Sequence, residues 1–181
     1  MKQLPNDFCY DCNANDCGHL YPPVKLKIKR LHPDAVMPKY AKPGDACFDL
    51  VLIDEGKDVM SEDPARASYY REYSTGLAFE IPPGHVGLCF PRSSSRGKAL
   101  TLANCVGVID SGYRGEVKAS FRADGTATVL KGSQGLAGYK KGERGIQMMI
   151  LPIPAVELID VGDAELSTSE RGTGGHGSSG Q

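Results

Sequence analysis

From Val24 the chain runs Val-Lys-Leu-Lys-Ile-Lys, apolar and basic residues alternating with a period of two. That is the spacing of a strand with one buried face. The segment Tyr40–Leu52 places a turn at Pro43-Gly44 ahead of a second strand. Thr75–Ile81, the turn Pro82-Pro83-Gly84 and His85–Phe90 read as strand, turn, strand. Further strands are predicted at Glu116–Phe121, Ile146–Ile153 and Ala155–Ile159. Gly56–Tyr73 is polar, and Asp63-Pro64 can start a short helix with Asp as cap and Pro in the first turn. Ala123–Lys141 is glycine-rich and hairpin-like. No helical periodicity extends beyond three turns. Many short strands with regular turns predict an all-β barrel or jelly roll.

With 181 residues, 40% apolar and 24% charged, the chain fits one soluble domain with a real core. A net charge of −1 argues against nucleic acid and against an anionic membrane as partners. No apolar run reaches transmembrane length and no signal-peptide core is present, so a cytoplasmic protein is expected. Composition divides the chain into an N-terminal arm at residues 1–23, a β domain at 24–166 and a Gly/Ser-rich tail at 167–181. In the arm, Cys9, Cys12, Cys17 and His19 form a Cys-x2-Cys-x4-Cys-x-His cluster. It reads either as a zinc (Zn2+) clip or as a reduced, loosely ordered arm. Cys47, Cys89 and Cys105 lie in apolar runs and read as buried small hydrophobes.

The stretch Asn104–Glu116 carries the most suggestive chemistry. Three apolar residues run into Asp110, a Ser111-Gly112 turn, Tyr113 and Gly115. Ser111-Gly112 between apolar runs reads as the tight turn of a β-hairpin. Such a hairpin holds an acid, an aromatic plate and free backbone polar groups together. An Asp that merely caps its own turn is the alternative.

Five separated segments then share one order: Pro43–Leu50, Pro91–Lys98, Asn104–Glu116, Gly142–Gln147 and Arg171–Gly180. Together they resemble the five motifs of the trimeric dUTPase family, over residues from about Val24 to Gly180. The resemblance implies a distorted jelly-roll subunit in a homotrimer, with a C-terminal arm exchanged between subunits and each site built from all three chains. It implies hydrolysis of dUTP to dUMP and pyrophosphate with Mg2+ (magnesium). Asp110 matches the carboxylate that activates the attacking water. Asn104, with the backbone of Val108 and Ile109, matches the uracil reader, and Tyr113 the plate under the deoxyribose. Arg92, Ser93 and Ser94 match the phosphate segment, and Gln147 a ligand of the α-phosphate or the water. Asp49 matches a residue acting through water near a metal held mainly by the triphosphate. Lys118 matches a pocket-lining position. Arg171 matches the arginine brought to the γ-phosphate, with Gly174, Gly175, Ser178 and Ser179 around the phosphates. His176 stands where the family usually has a Phe stacked on uracil.

Two further departures are Ser94-Ser95-Arg96 in place of Gly-Leu-Ala, and Gly112 in place of a frequent Asp. The related dCTP deaminases place a catalytic Glu where this chain has Ser120, and a hydroxyl does not shuttle protons as a carboxylate does. A regulatory, partner-binding relative with little or no turnover is the other alternative, since the Cys-rich arm and Gly56–Tyr73 lie outside the shared motifs.

Overall fold

The computed structural model describes residues 24–60, 69–123, 138–162 and 166–174. The Cys9/Cys12/Cys17/His19 cluster, the helix expected at Asp63-Pro64, most of the glycine-rich stretch, and Gly175, His176, Ser178 and Ser179 lie outside those residues.

Nine strands among the described residues form two antiparallel sheets. The first holds β1 (Lys27–Arg30), β3 (Lys57–Met60), β4 (Tyr69–Glu80), β6 (Leu100–Leu102) and β8 (Glu116–Ala123), in the order β1-β4-β8-β6 with β3 also on β4. The second holds β2 (Phe48–Val51), β5 (His85–Pro91), β7 (Gly107–Ile109) and β9 (Arg144–Pro152), in the order β2-β9-β5-β7. Among the described residues a single short helix, α1 (Ser95–Lys98), follows β5. Among the described residues no helix is long and apolar enough to cross a membrane.

Alternation along each strand decides which side chains go inward. In β2, Phe48 and Leu50 are buried while Asp49 and Val51 face out. Ile146 and Met148 of β9 pair with Leu50 and Phe48 and join them inside. Tyr73, Leu77 and Phe79 of β4 and Val117, Ala119 and Phe121 of β8 supply the opposing wall. Removing these apolar surfaces from water is the dominant stabilising term, about 1.5–3 kcal/mol for each large side chain.

Three expectations need correction. Asn104–Glu116 contains no β-hairpin, because β7 pairs with β5 while β8 pairs with β4 and β6. The turn is real, closed by the Tyr113 amide on the Asp110 carbonyl at 3.0 Å, but it carries the chain from one sheet to the other. Ala155–Ile159 forms no strand; Leu158 is 91% exposed, so its β-propensity finds no partner in the described chain. Of the three cysteines read as buried, only Cys89 is, and burial pushes its thiol up to about 12. Cys47 is half-buried, and Cys105 is exposed in a tight turn.

Candidate functional site

The outer face of the second sheet gathers residues expected to bind phosphate. Antiparallel register sets Asp49 of β2 opposite Gln147 of β9, and Gln147 opposite Phe90 of β5. Paired residues share a face, so Asp49 and Gln147 project together, away from the core. Gln147 donates its amide Nε2 to the Pro91 carbonyl at 3.1 Å, tying β9 to the start of the phosphate segment.

Asp49 is the electrostatic centre of this group. Its carboxylate is 14% exposed and accepts from Arg92 Nε at 2.5 Å and from Arg144 Nη1 at 2.9 Å. One anion between two cations leaves the cluster with a net positive charge, suited to an anionic ligand. Arg144 was not singled out by sequence reasoning. Strict alternation puts residues 144 and 147 on opposite faces. The register slips between Leu50 and Val51, however, and Val51 pairs with Arg144 directly. That irregularity re-aims Arg144 onto the face of Asp49 and Gln147.

Ser93 and Ser94 lead into α1, whose turns close through the Ser95 amide on the Arg92 carbonyl at 2.9 Å and the Gly97 amide on the Ser94 carbonyl at 3.2 Å. The Ser94 hydroxyl accepts from Arg92 Nη1 at 3.4 Å. Lys98 holds this loop from behind, bonded to Glu143 at 3.0 Å and lying over the Tyr139 ring at 4.9 Å. Tyr139 is a second residue that the sequence did not single out. Burial raises its hydroxyl above the ordinary tyrosine value, with the Ser94 hydroxyl and the Arg92 charge acting against that rise.

The residues expected to read the base form a separate cluster. Cys105 adopts a left-handed φ of +59°, uncommon for a residue with a Cβ, within the turn that follows β6. This turn exposes Asn104 and feeds Gly107 into β7. β7 is an edge strand, so part of its backbone N–H and C=O groups face away from β5. Val108 is 61% exposed there. Asp110 follows, also exposed. Tyr113 is fixed by donating its hydroxyl to the Glu116 carbonyl at 3.0 Å. Gly115 makes that pose available, because a Cβ at Gly115 would lie 2.4 Å from the Tyr113 hydroxyl. The Glu116 carboxylate accepts from the Gly76 amide at 2.7 Å, anchoring the turn to β4. Lys118 pairs with Glu72 at 2.9 Å, and this hydrogen bond raises its ammonium above the ordinary lysine value. Alternation along β8 puts Lys118 on the same outward face as Glu116, on either side of buried Val117.

The two clusters lie far apart within one chain. Asp49, which holds the Arg92 head, is three strands from β7 and four residues along the register from Asp110. At about 4.8 Å per strand and about 3.3 Å per residue, the separation is about 20 Å. Arg171 forms its own turn, donating Nε to the Gly174 carbonyl at 2.8 Å. Among the described residues it joins neither cluster. The described residues also contain no group of three His, Cys, Asp or Glu side chains able to hold a metal.

Known proteins share this arrangement of sequence and fold. The dUTPase family profile matches residues 34–180. The deoxyuridine 5'-triphosphate nucleotidohydrolase of Thermobifida fusca is 35% identical over 168 residues, covering 92% of this chain and 85% of that protein. The enzyme of the same name from Nautilia profundicola is 39% identical over 159 residues, covering 87% and 100%. The structure of the Staphylococcus bacteriophage 80alpha dUTPase with dUpNHpp superposes with a TM-score of 0.65 at 27% identity, covering 87% of this chain and 99% of that one. With a profile match across most of its length and relatives above one-third identity, the chain belongs to the dUTPase family.

Proposed function

We propose that this protein hydrolyses dUTP to dUMP and pyrophosphate in a homotrimer whose sites are shared between chains. Membership in the family and the names of its relatives support the reaction. The observation that carries the shared-site reading is the separation of about 20 Å between the Asp110 and Arg92 clusters, since a base must come within about 3 Å of the proton it removes. A carboxylate so far from its own chain's phosphate arginine works on a substrate held by another chain's. The unpaired apolar run at 153–161, with Leu158 and Val156 largely exposed, supports exchange of the C-terminal arm, which gives that run a surface to cover.

In this reading Asn104 and the edge-strand backbone at Val108 and Ile109 pair with uracil. The Tyr113 ring lies under the deoxyribose and leaves no room for a 2′-hydroxyl. Asp110 accepts a proton from water as that water attacks the α-phosphorus, and the pyrophosphate oxygen leaves on the far side. Arg92, Ser93 and Ser94 of a second chain, with Gln147, bind the phosphate oxygens. Arg171 and Gly174 of a third chain close over the terminal phosphate with Gly175, Ser178 and Ser179, and His176 stacks on the base. Lys118 lines the pocket beside Tyr113.

The residues fit a metal that arrives with the substrate. Asp49 already accepts from two arginines, so its part in holding Mg2+ runs through water. Bound Mg2+ would neutralise part of the triphosphate charge and favour departure of pyrophosphate.

Pyrophosphate release across dUTP, dCTP, dTTP and UTP with Mg2+ tests the reaction and the selectivity together. The expected result is rapid turnover of dUTP alone. Asp110→Asn should keep dUpNHpp binding while lowering kcat by about 10³-fold or more. Ammonia release from dCTP, or wild-type turnover by Asp110→Asn, would overturn the proposal.

A further inference from the structure

Among the described residues, the Tyr139 hydroxyl is the buried side-chain polar atom left without a hydrogen-bond partner. Native proteins rarely leave such a group orphaned, because its desolvation is uncompensated. Tyr139 is 2% exposed and its ring is immobilised. It packs edge-on against Tyr73 at 5.8 Å and tilted against Phe121 at 5.0 Å, with Lys98 over its face. Its own amide donates to the Tyr73 hydroxyl at 3.0 Å. The hydroxyl therefore stays where the core holds it, and a partner must come to it. Of the polar groups bearing on it, the Ser94 side chain and the Arg92 charge lie on the segment expected to bind phosphate, while Glu143 and Tyr73 act in the opposite sense. The Ser94 hydroxyl accepts a long contact from Arg92 Nη1 at 3.4 Å.

We propose that the Tyr139 hydroxyl is a positioning group for the phosphate segment, donating to the Ser94 hydroxyl when a nucleoside triphosphate draws Arg92 and Ser94 into place. The direction of each bond is consistent. Tyr139 donates to Ser94 Oγ in place of Arg92 Nη1, and the Ser94 hydroxyl donates its own proton to a phosphate oxygen. Arg92 releases Ser94 and turns Nη1 to the same phosphates while its Nε stays on Asp49. Each bond in such a chain polarises the next, so an acceptor-rich ligand strengthens the whole row. Residues beneath the loop thus register whether the phosphates are present. The inference rests on the reading of Arg92–Ser94 as the phosphate segment.

Two measurements on the same variants test it: calorimetric binding of dUpNHpp with Mg2+, and the thermal midpoint of the empty protein. Tyr139→Phe deletes only the hydroxyl. The expected signature has opposite signs, a midpoint unchanged or raised and an affinity lowered about fivefold, the effect of one lost hydrogen bond. Ser94→Ala, at the partner position, should lower affinity by a similar factor, and the double variant should lose no more than either single one. Unchanged affinity in Tyr139→Phe overturns the proposal. Affinity losses that add in the double variant also overturn it. A fall in midpoint parallel to the fall in affinity would mark Tyr139 as structural only and overturn it too. Arg92→Ala separates the two levels. If it leaves dUpNHpp affinity unchanged, the phosphate-segment reading fails. If it weakens binding while Tyr139→Phe does not, the positioning role alone fails.

Discussion

Mixing two inactive variants measures the separation between the clusters as a fraction of activity. Asp110→Asn removes the base and leaves the Arg92 cluster intact. Arg92→Ala removes a phosphate ligand and leaves the Asp110 turn intact. The register places these residues about 20 Å apart in one chain, so under the proposed function a productive site takes one from each of two chains. Suppose the two variants are co-refolded in equal amounts and assemble at random. The chain supplying Asp110 is intact at half the sites, and the chain supplying Arg92 is independently intact at half of those. About one quarter of wild-type activity per site should return, from two preparations that each have almost none. If one chain built its own site, every site in the mixture would carry a lesion and nothing would return. The assay is pyrophosphate release from dUTP at saturating Mg2+, with native mass spectrometry confirming that mixed oligomers formed. Mixed oligomers with no recovered activity would refute the distance argument.

Two other predictions concern how the clusters are held. Gly115→Ala should push the Tyr113 ring off its seat, since the new Cβ would meet the hydroxyl at 2.4 Å; discrimination between dUTP and UTP, measured as a ratio of kcat/KM, should fall by about tenfold or more. An unchanged ratio would show that Tyr113 does not exclude the 2′-hydroxyl. Glu143→Gln weakens the clamp behind α1. The Lys140 amide, and then Lys98, hold the Glu143 carboxyl below the ordinary value of 4.5. A depressed carboxyl contributes stability above its unfolded value and loses it as pH falls through the folded one. The variant should therefore melt about 1–2 °C below wild type at pH 7, a small effect because the pair is partly solvated, and the gap should close below about pH 4.5. A gap that persists at low pH would mean packing, not charge, is responsible.

The strands were legible wherever alternation was strong. Phe48-Asp-Leu-Val shows its inward and outward faces directly, and so Asp49 could be read as a surface acid in the right neighbourhood. Sheet membership was not legible. Ser111-Gly112 has the residues of a hairpin turn, but turn chemistry constrains only four residues and does not say which sheet the following strand joins. Arg144 was hidden for a related reason, because a register slip changes the face of a residue without changing the sequence pattern. Tyr139 was hidden by the opposite circumstance. An aromatic after a glycine-rich run reads as packing, and nothing in the chain announces that its hydroxyl arrives in the core without a partner.

The replacement of a hairpin by a crossing connection has a consequence for how the site works. In a hairpin, Asp110 and Tyr113 would ride at the tip of a two-stranded ribbon and move together. Here Asp110 leaves β7 at the edge of one sheet, while Tyr113 is bonded to Glu116 at the start of β8 in the other. Glu116 in turn binds the Gly76 amide beside the β4 register shift, so the turn is braced at both ends by different walls of the barrel. A base and a sugar plate held by separate walls keep their spacing unless the whole core deforms. In the proposed site such preorganisation would favour selection by shape, since a shift of either group toward a ribose or a thymine methyl would break its anchoring bonds. The phosphate segment is built on the other principle. Arg92 and Ser94 sit in a short loop whose bonds are long or shared, and an acceptor-rich ligand can rearrange them. In the proposed site, rigid recognition of base and sugar thus falls on the turn between the two sheets, and adjustable capture of the phosphates on the outer face of the second sheet. In the proposed shared site one substrate meets both.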